Sequence, residues 1–369
     1  MATAHDRRGW PRLLAVAALA FTAAACQTAR APINPTSPAA LAGWSTDDHA
    51  AALQAFLVSC PVLTRRDSGG PLGGIAGAGD TPAWQRACRD AAATSPGGAR
   101  TFLERSFTIV AQETGPDGAT GLFTGYYEPL LYGSRNPSVR FRYPLHRRPA
   151  NLGRRKGHPL LSRASIDSGT LARERLELAW VDDPVAKFFL QIQGSGQVQL
   201  DTGELIRVGY ADQNGHPYRA IGRDLIDSGV IPREQMSMQA IDHWLRTANP
   251  GEAQALMHKN PSYVFFRELG PVATTPGPIG AMSVPVTPGR SLAVDRSYVP
   301  LGSLVWVDTT IPTPAGERAL RRLMVAQDVG GAIKGPVRGD VFWGAGPQAE
   351  YVAGRMKQPG RLWRLVPRG

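Results

Sequence analysis

A mainly β fold with a helical N-terminal region is what this sequence predicts, on three observations. Glycine (41) and proline (31) are abundant and scattered through the 369 residues, which suits a turn-rich β architecture better than a helix bundle. Short alternating apolar runs fill the chain from Phe107 onward. Before Phe107 the apolar residues recur at helical spacing instead. Length sets a soft expectation of two domains of about 150 residues each. The apolar content of 43% is enough to give each a core.

Met1–Ala25 reads as an export signal. Arg7, Arg8 and Arg12 form its basic start, and Leu13–Ala25 is an apolar stretch too short to span a bilayer. Small residues run from it directly into Cys26, as at a lipoprotein cleavage site, so Cys26 is the expected lipidation site. A plain signal peptide cut near Ala25 is the alternative. Gln27 rather than Asp after the cysteine points to the outer membrane, by analogy with lipoprotein sorting. The chain is therefore expected to be exported and to face the periplasm. Residues 26–44, aperiodic and rich in proline, read as a tether.

Two helices follow. Leu53, Phe56, Leu57 and Cys60 share one helix face, starting at Thr46-Asp47-Asp48 and ending before Pro61. Trp84 and Cys88 repeat the spacing in a second helix. With Cys26 assigned to lipid, Cys60 and Cys88 remain as an even pair in an oxidising compartment, and a disulfide between them is expected; two buried thiols are the alternative. Ala99–Ser106 is a third, short helix.

Strands are predicted at Phe107–Gln112, through Gly121–Ser134, and at Arg140–Leu145, Leu176–Val181 and Leu205–Tyr210. Lys187–Leu200 reads as a hairpin turning at Gly194-Ser195-Gly196, which would put Gln191 and Gln193 on one face. Helices return at Tyr218–Ser228, Gln235–Thr247 and Glu252–His258. Further strands are expected at Ser262–Phe266, Ala281–Pro285, Leu292–Val294, Leu304–Asp308, Arg322–Gln327, Gly339–Phe342 and Leu362–Val366.

The charge of +11 allows a polyanionic partner. The arginines are spread out, however, and no zinc-finger, RNP or helix-turn-helix pattern appears, so nucleic acid is not expected. The seven histidines show no metal-ligand spacing, and no metal or other cofactor is expected. Chemistry is concentrated instead in three aspartates at predicted strand ends. Asp328 and Asp340 flank a glycine-rich turn carrying Lys334, and Asp295 lies upstream. Carboxylates in apolar surroundings, here Phe342 and Trp343, are how raised pKa values arise. Turn capping is the other use of strand-end aspartates.

DVGGAIKG followed by RGDVFWG, with AVDRSYVPLGS upstream, resembles the three-Asp domain, a double-psi β-barrel. GLFTGYYEP, FFLQIQGSGQVQL, VGYADQNGHPYRAIGRDLI, MSMQAIDHWL and NPSYVFF resemble, in the same order, the membrane-bound lytic murein transglycosylase A family. The resemblance covers about Gly121 to Arg364. It implies a double-psi barrel domain built from residues 45–128 and 266–369, a second β-rich domain inserted as 129–265, and a cleft between them. It implies cleavage of the β-1,4 bond between N-acetylmuramic acid and N-acetylglucosamine in peptidoglycan, with closure of a 1,6-anhydro ring. Asp340 matches the family's catalytic acid. Asp328 and Asp295 are then supporting groups, and Thr124, Tyr126, Tyr127, Gln191, Gln193, Ser195 and Lys334 are candidates for the saccharide groove. Partners implied are glycan strands, the lipid anchor's membrane and cell-wall synthesis or division proteins. A two-carboxylate hydrolase and an expansin-like wall-binding module are the rival readings.

Overall fold

The computed structural model describes residues 37–67, 69–112, 121–152, 161–274 and 277–369. The export signal, Cys26 and the first part of the expected tether lie outside them. Residues 38–44 do not behave as a tether: Pro38, Leu41 and Trp44 are buried, and Trp44 stacks at 5.2 Å on Trp306.

Helices α1 (His49–Leu63), α2 (Thr81–Ala92) and α3 (Ala99–Ser106) come first. Asp48 caps α1, its carboxylate accepting from Ala51 N. The helix runs through Pro61 instead of stopping before it. Proline there removes one backbone donor, at a cost on the order of 3 kcal/mol in a helix interior. Burial of Cys60 and Leu63 on the far side offsets that. Cys60 is joined to Cys88 of α2 in a disulfide, with Cα atoms 5.5 Å apart.

Strands β1 (Phe107–Gln112) and β2 (Gly121–Glu128) lead into β3 (Leu130–Ser134) and β4 (Tyr143–His146). Next come α4 (Arg163–Asp167), β5 (Glu177–Val181), α5 (Pro184–Gln193), β6 (Ser195–Leu200) and β7 (Leu205–Gln213). Helices α6 (Gly222–Asp227), α7 (Met238–Thr247) and α8 (Pro250–His258) precede β8 (Val264–Pro271). The chain ends with β9 (Ser291–Val294), β10 (Leu304–Thr313), β11 (Gly316–Asp328), β12 (Arg338–Ala345), α9 (Pro347–Arg355) and β13 (Lys357–Pro367).

Six of these strands close into a barrel in the order β13-β10-β11-β9-β12-β2, with β2 returning to β13. Strand β13 is long enough to do two jobs. Its first half closes on β2, and its second half carries β1. The barrel interior is apolar, with Phe123, Leu292, Val305, Met324, Val341 and Leu362 at its centre. Its outer face supports the N-terminal helices through Phe56, Trp84, Phe107, Trp306 and Leu365. A second sheet, ordered β4-β5-β3-β6-β7-β8, has its own core around Leu131, Leu145, Val198 and Val208. It takes residues as far as Pro271, past the expected boundary at 265.

The segment expected to be a hairpin at 187–200 is a helix followed by one strand. Asp183 caps α5 by accepting from Val185 N and Ala186 N, Pro184 sits in the first turn, and Gly194 ends the helix at φ 81°. Leu190 faces the sheet while Val185, Phe188 and Phe189 face the helices α6–α8. Leu190-Gln191-Ile192-Gln193 also alternates apolar and polar residues as a strand does, and that short alternation masks the helical spacing of Val185, Phe188, Phe189 and Ile192. The expected strand at 281–285 is a turn, the helix from Tyr218 begins only at Gly222, and α9 has no counterpart among the expected elements.

Candidate active site

Parallel pairing of β12 with β2 sets Asp340 beside Thr124. Parallel neighbours project their side chains to the same side, and the Thr124 hydroxyl donates to Asp340 Oδ1 at 2.6 Å. Arg338, two residues earlier on β12, donates from Nη2 to the same threonine oxygen at 2.9 Å. The hydroxyl therefore accepts from the guanidinium and spends its one proton on Asp340. Oδ1 is committed as an acceptor, and Oδ2 has no hydrogen-bond partner among the described residues. Burial raises the Asp340 pKa to about 6; the Thr124 hydrogen bond and the Arg338 charge pull it down, and the Asp328 charge pushes it up.

Asp328 ends β11. Its Oδ1 accepts from Ala281 N and Val329 N, each at 2.9 Å, and its Oδ2 from the Tyr126 hydroxyl at 2.9 Å. Burial raises its pKa, against those three donors. The residue before it is pinned from the far side: Gln327 Nε2 donates to Ala55 O and Ser59 Oγ of α1. The N-terminal helices thus hold the strand end that carries Asp328.

Asp295 follows β9 and is buried. Ser297 N donates to its Oδ1 at 3.0 Å and Gly335 N to its Oδ2 at 2.9 Å. Burial works to raise its pKa, but those backbone donors, and the Lys334 charge more weakly, hold it below the usual carboxylate value. Asp295 is the clasp of the glycine-rich turn between β11 and β12. Lys334 is exposed on that turn.

The structure redistributes the expected groove residues. Thr124 serves the acid, and Tyr126 is buried between Asp328 and Phe342, with ring centroids 5.1 Å apart. Tyr127, also buried, faces Ala349 and Ala353 of α9. Gln191 is buried and accepts from Arg163 Nη1. Gln193 does not share its face, because residues two apart on a helix diverge; its Oε1 accepts from Tyr127 N at 3.0 Å and so ties α5 to β2. Ser195 is buried at the start of β6. Sequence reasoning gave no role to the buried ion pair of Glu128 on β2 with Arg207 on β7, Arg207 Nε to Oε1 being 2.8 Å. Only the tertiary fold, which brings β7 of the second sheet to the end of β2, reveals it. Among the described residues no cluster of His, Cys, Asp and Glu could hold a metal ion, and no helix is long and apolar enough to cross a membrane.

Residues 122–267 match the model of the MltA specific insert domain, and residues 290–366 match the 3D domain. The chain is 39% identical over 276 residues to membrane-bound lytic murein transglycosylase A of Escherichia coli (strain K12), covering 73% of this chain and 72% of that one. The enzyme of the same name from Vibrio cholerae is 35% identical over 266 residues, covering 70% and 69%. Among solved structures, a membrane-bound lytic murein transglycosylase from Agrobacterium tumefaciens aligns with a TM-score of 0.78 at 31% identity, over 90% of this chain and 96% of that one. E. coli MltA with bound chitohexaose aligns with a TM-score of 0.69 at 33% identity, over 87% and 90%. On its sequence, its barrel and its second sheet, this chain belongs to the membrane-bound lytic murein transglycosylase A family.

Proposed function

We propose that this chain is a peptidoglycan lytic transglycosylase in which Asp340 alone acts, first as general acid and then as general base. The observation that carries the reading is the state of the three aspartates. Asp328 and Asp295 have both oxygens engaged by donors of the fold, whereas Asp340 keeps Oδ2 free. A pKa of about 6 keeps roughly a tenth of Asp340 protonated at pH 7, on the order of a hundredfold more than an ordinary carboxyl, and a general acid must be protonated to act.

The steps balance without water. Asp340 Oδ2–H protonates the bridging oxygen as the bond from C1 of the muramyl residue breaks. The positive charge at C1 is stabilised by the substrate's own acetamido group or by the nearby carboxylate of Asp328. Asp340, now a carboxylate, takes the proton of the C6 hydroxyl, and O6 closes on C1. The acid is regenerated, and the muramyl residue leaves as a 1,6-anhydro ring. One carboxyl group serves both steps because the first leaves it basic.

A two-carboxylate hydrolase needs a second free carboxylate to activate water, and neither Asp328 nor Asp295 provides one. Mass spectrometry of products from purified sacculi separates the readings, because hydrolysis adds a water and ring closure does not. Hydrolytic products, or full activity of Asp340→Asn, would sink the proposal. Complete lack of soluble products would favour the wall-binding module. The relatives from E. coli and V. cholerae are named as membrane-bound. A lipid on Cys26 in the outer membrane, with the barrel facing the periplasm, is the matching anchor for this chain. Labelling with a fatty-acid analogue, lost in Cys26→Ala, tests it.

A further inference from the structure

Four side chains at the start of β2 and β12 form one patch. Thr124 and Asp340 are parallel partners, and so are Leu122 and Arg338, two residues earlier on each strand. Residues two apart on a strand share a face, so all four project to the same side. All four reach the surface: Leu122 is 44% exposed, and Thr124, Arg338 and Asp340 are half-buried. The acid–base steps use Asp340 and Thr124. They leave Leu122 without a role and give Arg338 no contact with substrate.

The three hydrogen bonds of Arg338 all go to uncharged oxygens. Nη2 donates to Thr124 Oγ1, and Nη1 donates to Gly339 O and Leu122 O. Nε and the second N–H of Nη2 have no hydrogen-bond partner among the described residues. Two free guanidinium donors of this kind suit a carboxylate. Arg338 also stands one hydroxyl away from the acid, within the span of a single sugar ring. The muramyl ring whose C1 meets Asp340 carries at C3 an ether of lactic acid, with a methyl and a carboxyl group on one carbon. N-Acetylglucosamine, its neighbour in the polymer, has a plain hydroxyl there. Arg338 fits the carboxylate and Leu122 the methyl group. Where a peptide stem is attached, that carboxyl is closed into an amide, and only a neutral carbonyl faces the guanidinium. Bonds between two charged groups are the stronger kind.

We propose that Arg338, with Leu122 beside it, is a specificity-determining residue that selects muramyl rings with a free lactyl carboxylate. The proposal rests on the transglycosylase reading of Asp340. It places the enzyme after an amide hydrolysis in which water breaks the bond between the lactyl carboxyl and the peptide stem. That reaction leaves a carboxylate on the glycan and an amino group on the released peptide.

The test compares kcat/KM on peptide-free glycan strands with kcat/KM on the same strands after their lactyl carboxyls are converted to methylamides. The parent should favour the free carboxylates by about tenfold, the scale of a charge-assisted hydrogen bond. In Arg338→Met both rates fall, because Thr124 loses its donor, but the ratio should drop to about one. Arg338→Lys keeps the charge without the fork and should retain part of the preference. A parent ratio of one would overturn the proposal. So would a ratio that Arg338→Met leaves unchanged, since the preference would then belong to the +11 charge of the whole chain. Calorimetry of both strands with Asp340→Asn, alone and combined with Arg338→Met, reads the selection without turnover. Tighter binding of the free strands, lost in the double variant, supports the site. Equal binding of the two strands by Asp340→Asn refutes it, whatever the product analysis says about the reaction.

Discussion

Asp340 is unusual for what its neighbours leave undone. Thr124 occupies one oxygen, Arg338 fixes the hydroxyl that does so, and burial supplies the raised pKa of about 6. A carboxyl whose folded pKa lies above its unfolded value near 3.8 favours folding at low pH. It loses that advantage as pH rises through the folded value. Asp340→Asn should therefore gain on the order of 3 kcal/mol at pH 8 and nothing at pH 3, read by urea unfolding at both. The same variant should have no measurable turnover. In the parent, kcat/KM should fall above pH about 6 as the acid loses its proton. Arg338 acts on this group through charge and through Thr124. Arg338→Met removes a cation that lowers the Asp340 pKa, so the alkaline limb should move up by about one unit. The rate at pH 5 should fall, because the Thr124 hydroxyl is then free to turn. A uniform loss of rate with an unmoved limb would reduce Arg338 to a packing role.

Individual elements show where pattern reading works and where it fails. Helix α3 and strand β1 have the predicted bounds, because their apolar positions face one core each. Helix α5 is masked by the strand-like alternation of Leu190-Gln191-Ile192-Gln193, although Asp183-Pro184 and Gly194 mark its ends in the sequence. Helix α9 follows the aspartate strand with Pro347 in its first turn, a start signal overshadowed by the strand-like runs around it. Among the N-terminal elements, the disulfide closes a loop of 28 residues between α1 and α2. Cys60→Ser with Cys88→Ser should lower stability by about 3 kcal/mol, the scale for a loop of that length. Thermal unfolding with and without reductant checks it, and reductant should not change the melting point of the double variant. Because α1 holds Gln327 next to Asp328, activity should fade at a lower temperature in the variant as well.

At the scale of the whole molecule, the barrel and the second sheet meet where β2 becomes β3. Glu128 and Arg207 close that junction as a buried pair. Removing one partner of a buried pair leaves the other charge without its counter-ion, a cost of about 3–5 kcal/mol. Arg207→Met should show it in urea unfolding. Adding Glu128→Leu should recover most of the stability without restoring full activity, since the bond that orients the sheets stays absent. The three aspartates, their order and the family were legible in the sequence, because the residues that define them stand in short contiguous motifs. The expected groove residues fared worse. Thr124 and Tyr126 turned out to serve Asp340 and Asp328, and Gln191 belongs to an inner network with Arg163.

By itself the sequence determined a mainly β chain with N-terminal helices and the likeness to lytic transglycosylases, and it offered Asp340 as the candidate acid. Those depend on local pattern and on motifs read along the chain. Only the tertiary structure decided what each carboxylate can do. That depends on partners more than 200 residues distant in sequence, such as Thr124 for Asp340 and Tyr126 for Asp328, brought together by strand pairing. A carboxylate's chemistry is set by which of its oxygens are already bonded and by how much water it has lost. Both are properties of the packed molecule, which no stretch of chain carries alone.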